Sequence, residues 1–202
     1  MSEPVAKRMI PLSEPEISGN EWKYIKECLD TGWVSSAGKY VNKFEKMTAD
    51  YVGTKYAVAV VNGTAALHLG LIAAGVQPED EVIVPALTFI APVNTVRYCG
   101  AEPVFMDFDL ETLCMDVQKL ADFLDEECGQ GRDGYLYNKK SKRRIKAIIP
   151  VHIFGHPADM DALLKICKES NIDIIEDATE SLGSEYKGKK TGSFGAAGCF
   201  SF

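Results

Sequence analysis

Apolar positions along this chain follow two rhythms, and each predicts a different element. Short continuous runs rich in β-branched residues, at 56–61, 81–85, 100–109, 147–151 and 172–175, predict buried strands. A last short apolar run occupies 198–202. Between them, apolar residues three and four apart predict amphipathic helices over 39–51, where Tyr40, Phe44, Met47 and Tyr51 share a face, and over 65–74, 116–126 and 160–170. Ser18-Gly19-Asn20-Glu21 reads as a capping box opening a helix that stops at Thr31-Gly32. Strands alternate with helices about five times, the signature of a largely parallel sheet covered on both faces. The polar, glycine-containing stretch 128–142 predicts a flexible surface loop.

Two places in this pattern suggest chemistry. The turn Asn62-Gly63-Thr64 lies between a predicted strand and a predicted helix, where free amides and the positive end of the helix dipole favour an anion. It has neither Walker spacing nor a G-x-G-x-x-G fingerprint, and alone it reads first as a tight turn with a cap. The run 172–175 ends abruptly in Glu176 and Asp177. A carboxylate at the carboxyl end of a parallel strand faces the crevice where open α/β sheets hold ligands. Gly63-Thr64, Phe89 and Asp177 each follow a different predicted strand, so all three are expected to converge on one sheet edge.

Composition narrows the classes. A chain of 202 residues with 46% hydrophobic and 25% charged residues suits one α/β domain with a real core. The formal charge of -7 argues against nucleic acid or an anionic membrane as partner, and the basic cluster 139–144 reads as a solvated loop. The six cysteines form no C-x-x-C pair and lack metal-ligand spacing to the histidines, so reduced thiols in a cytoplasmic protein are expected, with no metal site. No stretch approaches the roughly 20 apolar residues of a membrane helix.

Glu176-Asp177-Ala178, Glu180, Gly183-Ser184 and Ser201-Phe202 resemble the signature of the DegT/DnrJ-type sugar aminotransferases, fold-type I enzymes dependent on pyridoxal 5'-phosphate. Gly63-Thr64-Ala65, Thr88-Phe89, the segment 100–109, and Pro150-Val151-His152 with Phe154-Gly155 extend the resemblance from about residue 10 to Phe202. It implies a three-layer, mostly parallel large domain, incomplete at its C-terminus. The chain then comprises an N-terminal segment and most of that domain over 1–202, with the small C-terminal domain absent. Gly63, Thr64 and Ser201 are expected at the cofactor phosphate, Phe89 against a ring face, Asp177 at the ring nitrogen and Glu180 near the ring hydroxyl. Trp33, Val34, Ser35 and His152 are expected on the substrate side, although a surface loop for the first three and a structural hydrogen-bonding role for His152 fit as well.

The family's lysine, which bonds the cofactor, is expected beyond Phe202, so the chain alone is expected to carry no catalytic residue and no activity. Glu180 in place of glutamine or histidine resembles the branch that includes perosamine synthases and the aminotransferases of bacillosamine and legionaminic-acid pathways. The resemblance implies transfer of an amino group from glutamate to a nucleotide-linked 4-keto-6-deoxysugar, for surface glycans, by a homodimer. Two other readings stay open: a non-catalytic binding or regulatory protein, and a nicotinamide-dependent sugar-modifying enzyme.

Overall fold

Successive residues of the apolar runs face opposite sides of one sheet. Ile83, Ile148 and Ile174 join a buried cluster with Leu120, Leu124, Leu163 and Cys167. Val82, Val84, Ile149 and Ile175 join a second cluster with Leu67, Leu71 and Val96. Strands buried on both faces need helices on both, and the result is three layers.

The computed structural model describes Pro11 and residues 14–202, in two compact units, 1–43 and 44–202. The first contains α1 (Glu21–Thr31), closed by Gly32 in the left-handed region, φ 72°, with its amide on the Leu29 carbonyl. Tyr24 and Tyr40 stack at 4.9 Å between ring centroids, and the Tyr40 hydroxyl donates to Glu27 at 2.5 Å. The predicted capping box does not form. Because the helix begins at Glu21, the N-cap is Asn20 and Ser18 lies too far upstream; Glu21 instead accepts from the Gly19 amide at 2.9 Å.

A second helix, α2 (Lys39–Val52), begins in the first unit and runs into the second. There follow α3 (Gly63–Ala73), β1 (Glu81–Pro85), α4 (Ile90–Tyr98), β2 (Glu102–Met106) and α5 (Val117–Glu126). Next come β3 (Cys128–Gln130), β4 (Leu136–Asn138), β5 (Arg144–Ile148), α6 (Met160–Ser170), β6 (Asp173–Asp177), a small ribbon of β7 (Glu185–Tyr186) and β8 (Lys189–Lys190), and β9 (Ala197–Cys199). Strands β2, β1, β5, β6 and β9 lie side by side in that order, all parallel. Asp116 caps α5 and Asp159 caps α6, each side chain accepting first-turn amides.

Three expectations fail for identifiable reasons. The stretch 128–142 is no free loop, because β3 and β4 form an antiparallel hairpin whose second strand pairs with β5. The basic cluster 139–144 is tied down at its two arginines: Arg144 grips Asp80 through two bonds of 2.8 and 2.6 Å, and Arg143 meets Glu79 and Glu102 at 3.2 Å. The run 56–61 makes no strand pairing, and Tyr56, Val58 and Val61 are exposed. An open groove of about 980 Å³ separates it from β9, so among the described residues no strand lies alongside it. Helix α4 is not among the predicted helices; Pro92 lies in its first turn, where a proline needs no donor.

Candidate functional site

The carboxyl ends of β5, β6 and β9 are locked in line. Asp177 lies opposite Val151 on one side and Cys199 on the other. Its amide donates to the Pro150 carbonyl at 2.9 Å, its carbonyl accepts from the His152 amide at 3.1 Å, and the Ala178 amide bonds the Cys199 carbonyl at 2.9 Å. The Asp177 side chain is therefore fixed at the end of β6, between two parallel neighbours, and it is buried. One carboxylate oxygen, Oδ1, accepts from both the amide and the hydroxyl of Thr179, at 3.1 and 2.7 Å.

Burial pushes the Asp177 carboxyl above its ordinary value, and the Thr179 hydrogen bonds only partly offset this. Among the described residues no lysine or arginine pairs with it. A carboxylate in this state gains from a cationic N–H close by, which would favour its charged form.

Gly63 links this carboxylate to the anion turn. A Cβ there would lie 2.9 Å from Thr179 Cγ2 and 3.0 Å from Ser201 Cβ, so only glycine admits both neighbours. Asn62 caps α3, its Oδ1 accepting the Ala65 amide at 2.9 Å and its carbonyl the Ala66 amide at 3.1 Å. The Gly63 and Thr64 amides precede both and have no acceptor among the described residues. Two free amides, the helix dipole and the Ser201 segment thus meet beside Thr179, which touches Asp177. This donor set fits a group with an anion at one end and a protonated ring nitrogen at the other.

Glu176 does different work. It is fully buried and accepts four hydrogen bonds: Gly192 amide at 2.7 Å, Phe194 amide at 2.6 Å, Gly195 amide at 2.8 Å, and His152 Nε2 at 3.1 Å. His152 Nδ1 accepts the Ala158 amide at 3.1 Å, and an amide can only donate. The imidazole must therefore carry its proton on Nε2 and give it to Glu176. Burial alone would raise the Glu176 carboxyl; the bonds from His152 and the loop amides outweigh it and bring the group below its ordinary 4.5. Both His152 nitrogens are engaged and its side chain is fully buried, so the structural role describes its contacts and neither nitrogen is left for a ligand.

Glu180 also has a protein partner. Its Oε2 accepts the Phe154 amide at 2.8 Å. Phe154 lies in a 3-10 turn, Ile153–Gly155, with φ 52° and ψ 25°, the left-handed region. For a bulky residue this costs about 1–3 kcal/mol. Its side chain is nevertheless 77% exposed.

Phe89, at the start of α4, is 78% exposed, so it is not a core filler. Beside it, Thr88 Oγ1 is buried with no hydrogen-bond partner among the described residues. Trp33, Val34 and Ser35 stand exposed in the unit 1–43. Sequence reasoning missed Thr179, Thr88 and the Glu176 knot. An Asp-x-Thr spacing signals the first; nothing local signals the others. Burial raises the Cys199 thiol to about 12, which keeps it protonated and unreactive beneath the site.

GDP-perosamine synthase of Caulobacter vibrioides is 46% identical over 193 residues, covering 96% of this chain and 47% of that protein. EpsN of Bacillus subtilis, named as a candidate pyridoxal phosphate-dependent aminotransferase, is 40% identical over 195 residues, covering 96% of this chain and 47% of its own. Among solved structures, a candidate sugar aminotransferase from Streptococcus pneumoniae in its PLP form superposes with a TM-score of 0.80 at 31% identity, over 96% of this chain and 48% of that one. The chain thus spans about half the length of the curated relatives it matches. The model of the DegT/DnrJ/EryC1/StrS aminotransferase family matches residues 15–202, and the chain belongs to that family.

Proposed function

We propose that the protein to which this chain belongs is a pyridoxal phosphate-dependent aminotransferase that moves an amino group from glutamate to the keto carbon of a nucleotide-linked 4-keto-6-deoxysugar. The observation that carries the reading is the junction at Gly63, where the anion turn, the Thr179 that grips Asp177, and Ser201 come together. The sugar class draws on the GDP-perosamine synthase of Caulobacter vibrioides, 46% identical. In this reading the chain is an N-terminal segment and most of the cofactor-binding large domain. A cytoplasmic setting and a homodimer with shared sites belong to the same proposal.

When bound, pyridoxal phosphate supplies an electron sink for the carbon next to the amine. The chain's own residues hold and tune it. Gly63 and Thr64 offer amides to the phosphate, Ser201 a hydroxyl, and the dipole of α3 favours the negative charge. Asp177 faces the ring nitrogen and keeps its proton in place, since an opposite charge within about 4–6 Å favours the charged form of each partner. Thr179 orients that carboxylate through Oδ1, leaving the other oxygen for the ring. Phe89 supplies an exposed aromatic face for offset stacking on the ring. Glu180 has a second oxygen free for the ring hydroxyl while Oε2 holds Phe154. Trp33, Val34 and Ser35 are assigned to the substrate side.

The test is amino transfer by the protein at its relatives' full length. With glutamate and a GDP- or UDP-linked 4-keto-6-deoxysugar, and no added metal, it should release 2-oxoglutarate in step with aminated sugar. Amination of simple keto acids alone would reject the sugar class.

A further inference from the structure

The turn that ends β5 is built in an unusual way. Val151 bridges to Asp177 just beyond the strand, His152 is buried with both nitrogens engaged, and Ile153 packs into the core. The next two residues both take positive φ, 52° at Phe154 and 81° at Gly155. Glycine or asparagine adopts this backbone readily, whereas a phenylalanine does not. No burial compensates, because the Phe154 side chain is among the most exposed aromatics of the described residues.

The strain is held from outside the turn. Glu180 Oε2 takes the Phe154 amide at 2.8 Å, and the Gly155 carbonyl accepts from Ser184 Oγ at 2.7 Å. A Cβ on Gly155 would stand 3.2 Å from the Glu180 carbonyl, so the turn and the 177–184 segment are in close contact on both sides. That segment begins with Asp177, whose carbonyl takes the His152 amide at 3.1 Å. An aromatic in a strained backbone is thus fastened, by a carboxylate three residues from Asp177, beside the carboxyl end of β6. An outlier of this kind points to a site where placement matters more than local stability.

We propose that Phe154 is a specificity-determining residue whose ring packs against the apolar face of the sugar, including its deoxygenated C6 methyl, and that Glu180 is a positioning residue that holds it there. The proposal rests on the reading of function above. The sugar, rather than the nucleotide, is the occupant because Phe154 is tethered next to the residues assigned to the reacting ring. A phenyl face gains from contact with C–H and methyl groups and rejects an added hydroxyl, which would lose its water without finding a partner. Glu180 then has two duties, one oxygen on the turn and the other free toward the cofactor.

The experiment compares Phe154→Gly, Phe154→Ala and Phe154→Tyr in the cofactor-loaded, full-length protein. Glycine is the informative variant, because it relaxes the strained backbone while removing the ring. A merely structural Phe154 predicts equal or higher Tm for Phe154→Gly and an unchanged KM. The proposal predicts the same Tm rise but a KM for the 4-keto-6-deoxysugar raised about tenfold, with kcat within about threefold, in both Phe154→Gly and Phe154→Ala. Calorimetric binding of the nucleotide-linked 4-amino-6-deoxy product should weaken by a similar factor. The preference of the wild type for the 6-deoxy over the 6-hydroxy sugar should shrink, and Phe154→Tyr should restore KM to within about threefold. An unchanged KM and product affinity in a folded Phe154→Gly protein overturns the proposal while leaving the proposed function intact. Failure of the wild type to use any nucleotide-linked keto sugar overturns the function first.

Discussion

Replacing Glu176 by glutamine changes almost nothing in shape, yet it should loosen the loop that leads to Ser201. Each Glu176 oxygen accepts two donors: Oε1 takes Phe194 and Gly195, and Oε2 takes Gly192 and His152. A glutamine keeps one oxygen and turns the other into an NH₂ that faces two donors. Facing Phe194 and Gly195, it orphans two amides; facing Gly192 and His152, it orphans one amide and opposes Nε2–H. Switching the imidazole tautomer does not help, because Nδ1 would then carry a proton against the Ala158 amide. Two buried donors therefore lose their acceptors either way, at about 1–3 kcal/mol each. Relief of the buried charge offsets part of this, leaving a net loss of about 2–4 kcal/mol.

The local readout is amide hydrogen exchange over 192–195, which should quicken by roughly 30- to 700-fold if the loop opens independently. Because the Glu176 carboxyl lies below its ordinary 4.5, its stabilisation is complete above that value and is lost as pH falls through the lower folded value. The wild type should show this acid-dependent loosening and Glu176→Gln should not. Exchange within threefold of wild type at neutral pH would refute the reasoning.

Other outcomes follow from the same geometry. Asp177 is raised by burial, so its folded form holds a proton more tightly than the unfolded chain, and the cofactor-free protein loses stability as pH rises through that window. Asp177→Asn should therefore raise the Tm of cofactor-free protein at pH 7, while cutting transamination at least about a hundredfold in the loaded enzyme; a lower Tm with normal turnover would contradict both. Gly63→Ala gains up to about 1 kcal/mol from helix propensity but forces a methyl to 2.9 Å from Thr179 Cγ2, at about 1–3 kcal/mol. Its Tm should fall in a thermal melt, and its pyridoxal phosphate Kd should rise about tenfold in a titration of the cofactor. Thr179→Val removes one of two bonds to Asp177 Oδ1 and should weaken cofactor binding by a few fold, read by the same titration, without disturbing α3.

The layers were legible because they depend on local signals. The β-branched runs at 81–85 and 172–175 do become buried strands, and the acids ending the second run mark its carboxyl end. Gly63-Thr64 was readable as a turn, and the structure supplies the reason for glycine there: Thr179 and Ser201 arrive from far along the chain. The hairpin 128–138 was not readable, since its polar surface hides the pairing of Leu136 and Tyr137 with β5 and the reach of Arg144 to Asp80. The run 56–61 carries strand residues, but pairing needs a neighbour, and a groove lies where one would stand. The duties of Glu176 and His152 depend on four donors brought together by folding, which no spacing in the sequence announces.

The junction of Gly63, Thr179, Asp177 and Ser201 is proposed to hold pyridoxal phosphate for amino transfer to a sugar. Its most direct test is simultaneous measurement of 2-oxoglutarate and aminated nucleotide sugar, using full-length protein, glutamate and a GDP-linked 4-keto-6-deoxysugar, in wild type and Asp177→Asn. Equal amounts of both products from the wild type, and at least about a hundredfold slower formation of each in the variant, are predicted. Wild-type protein that retains pyridoxal phosphate yet forms neither product, or a variant that matches it, would contradict the account.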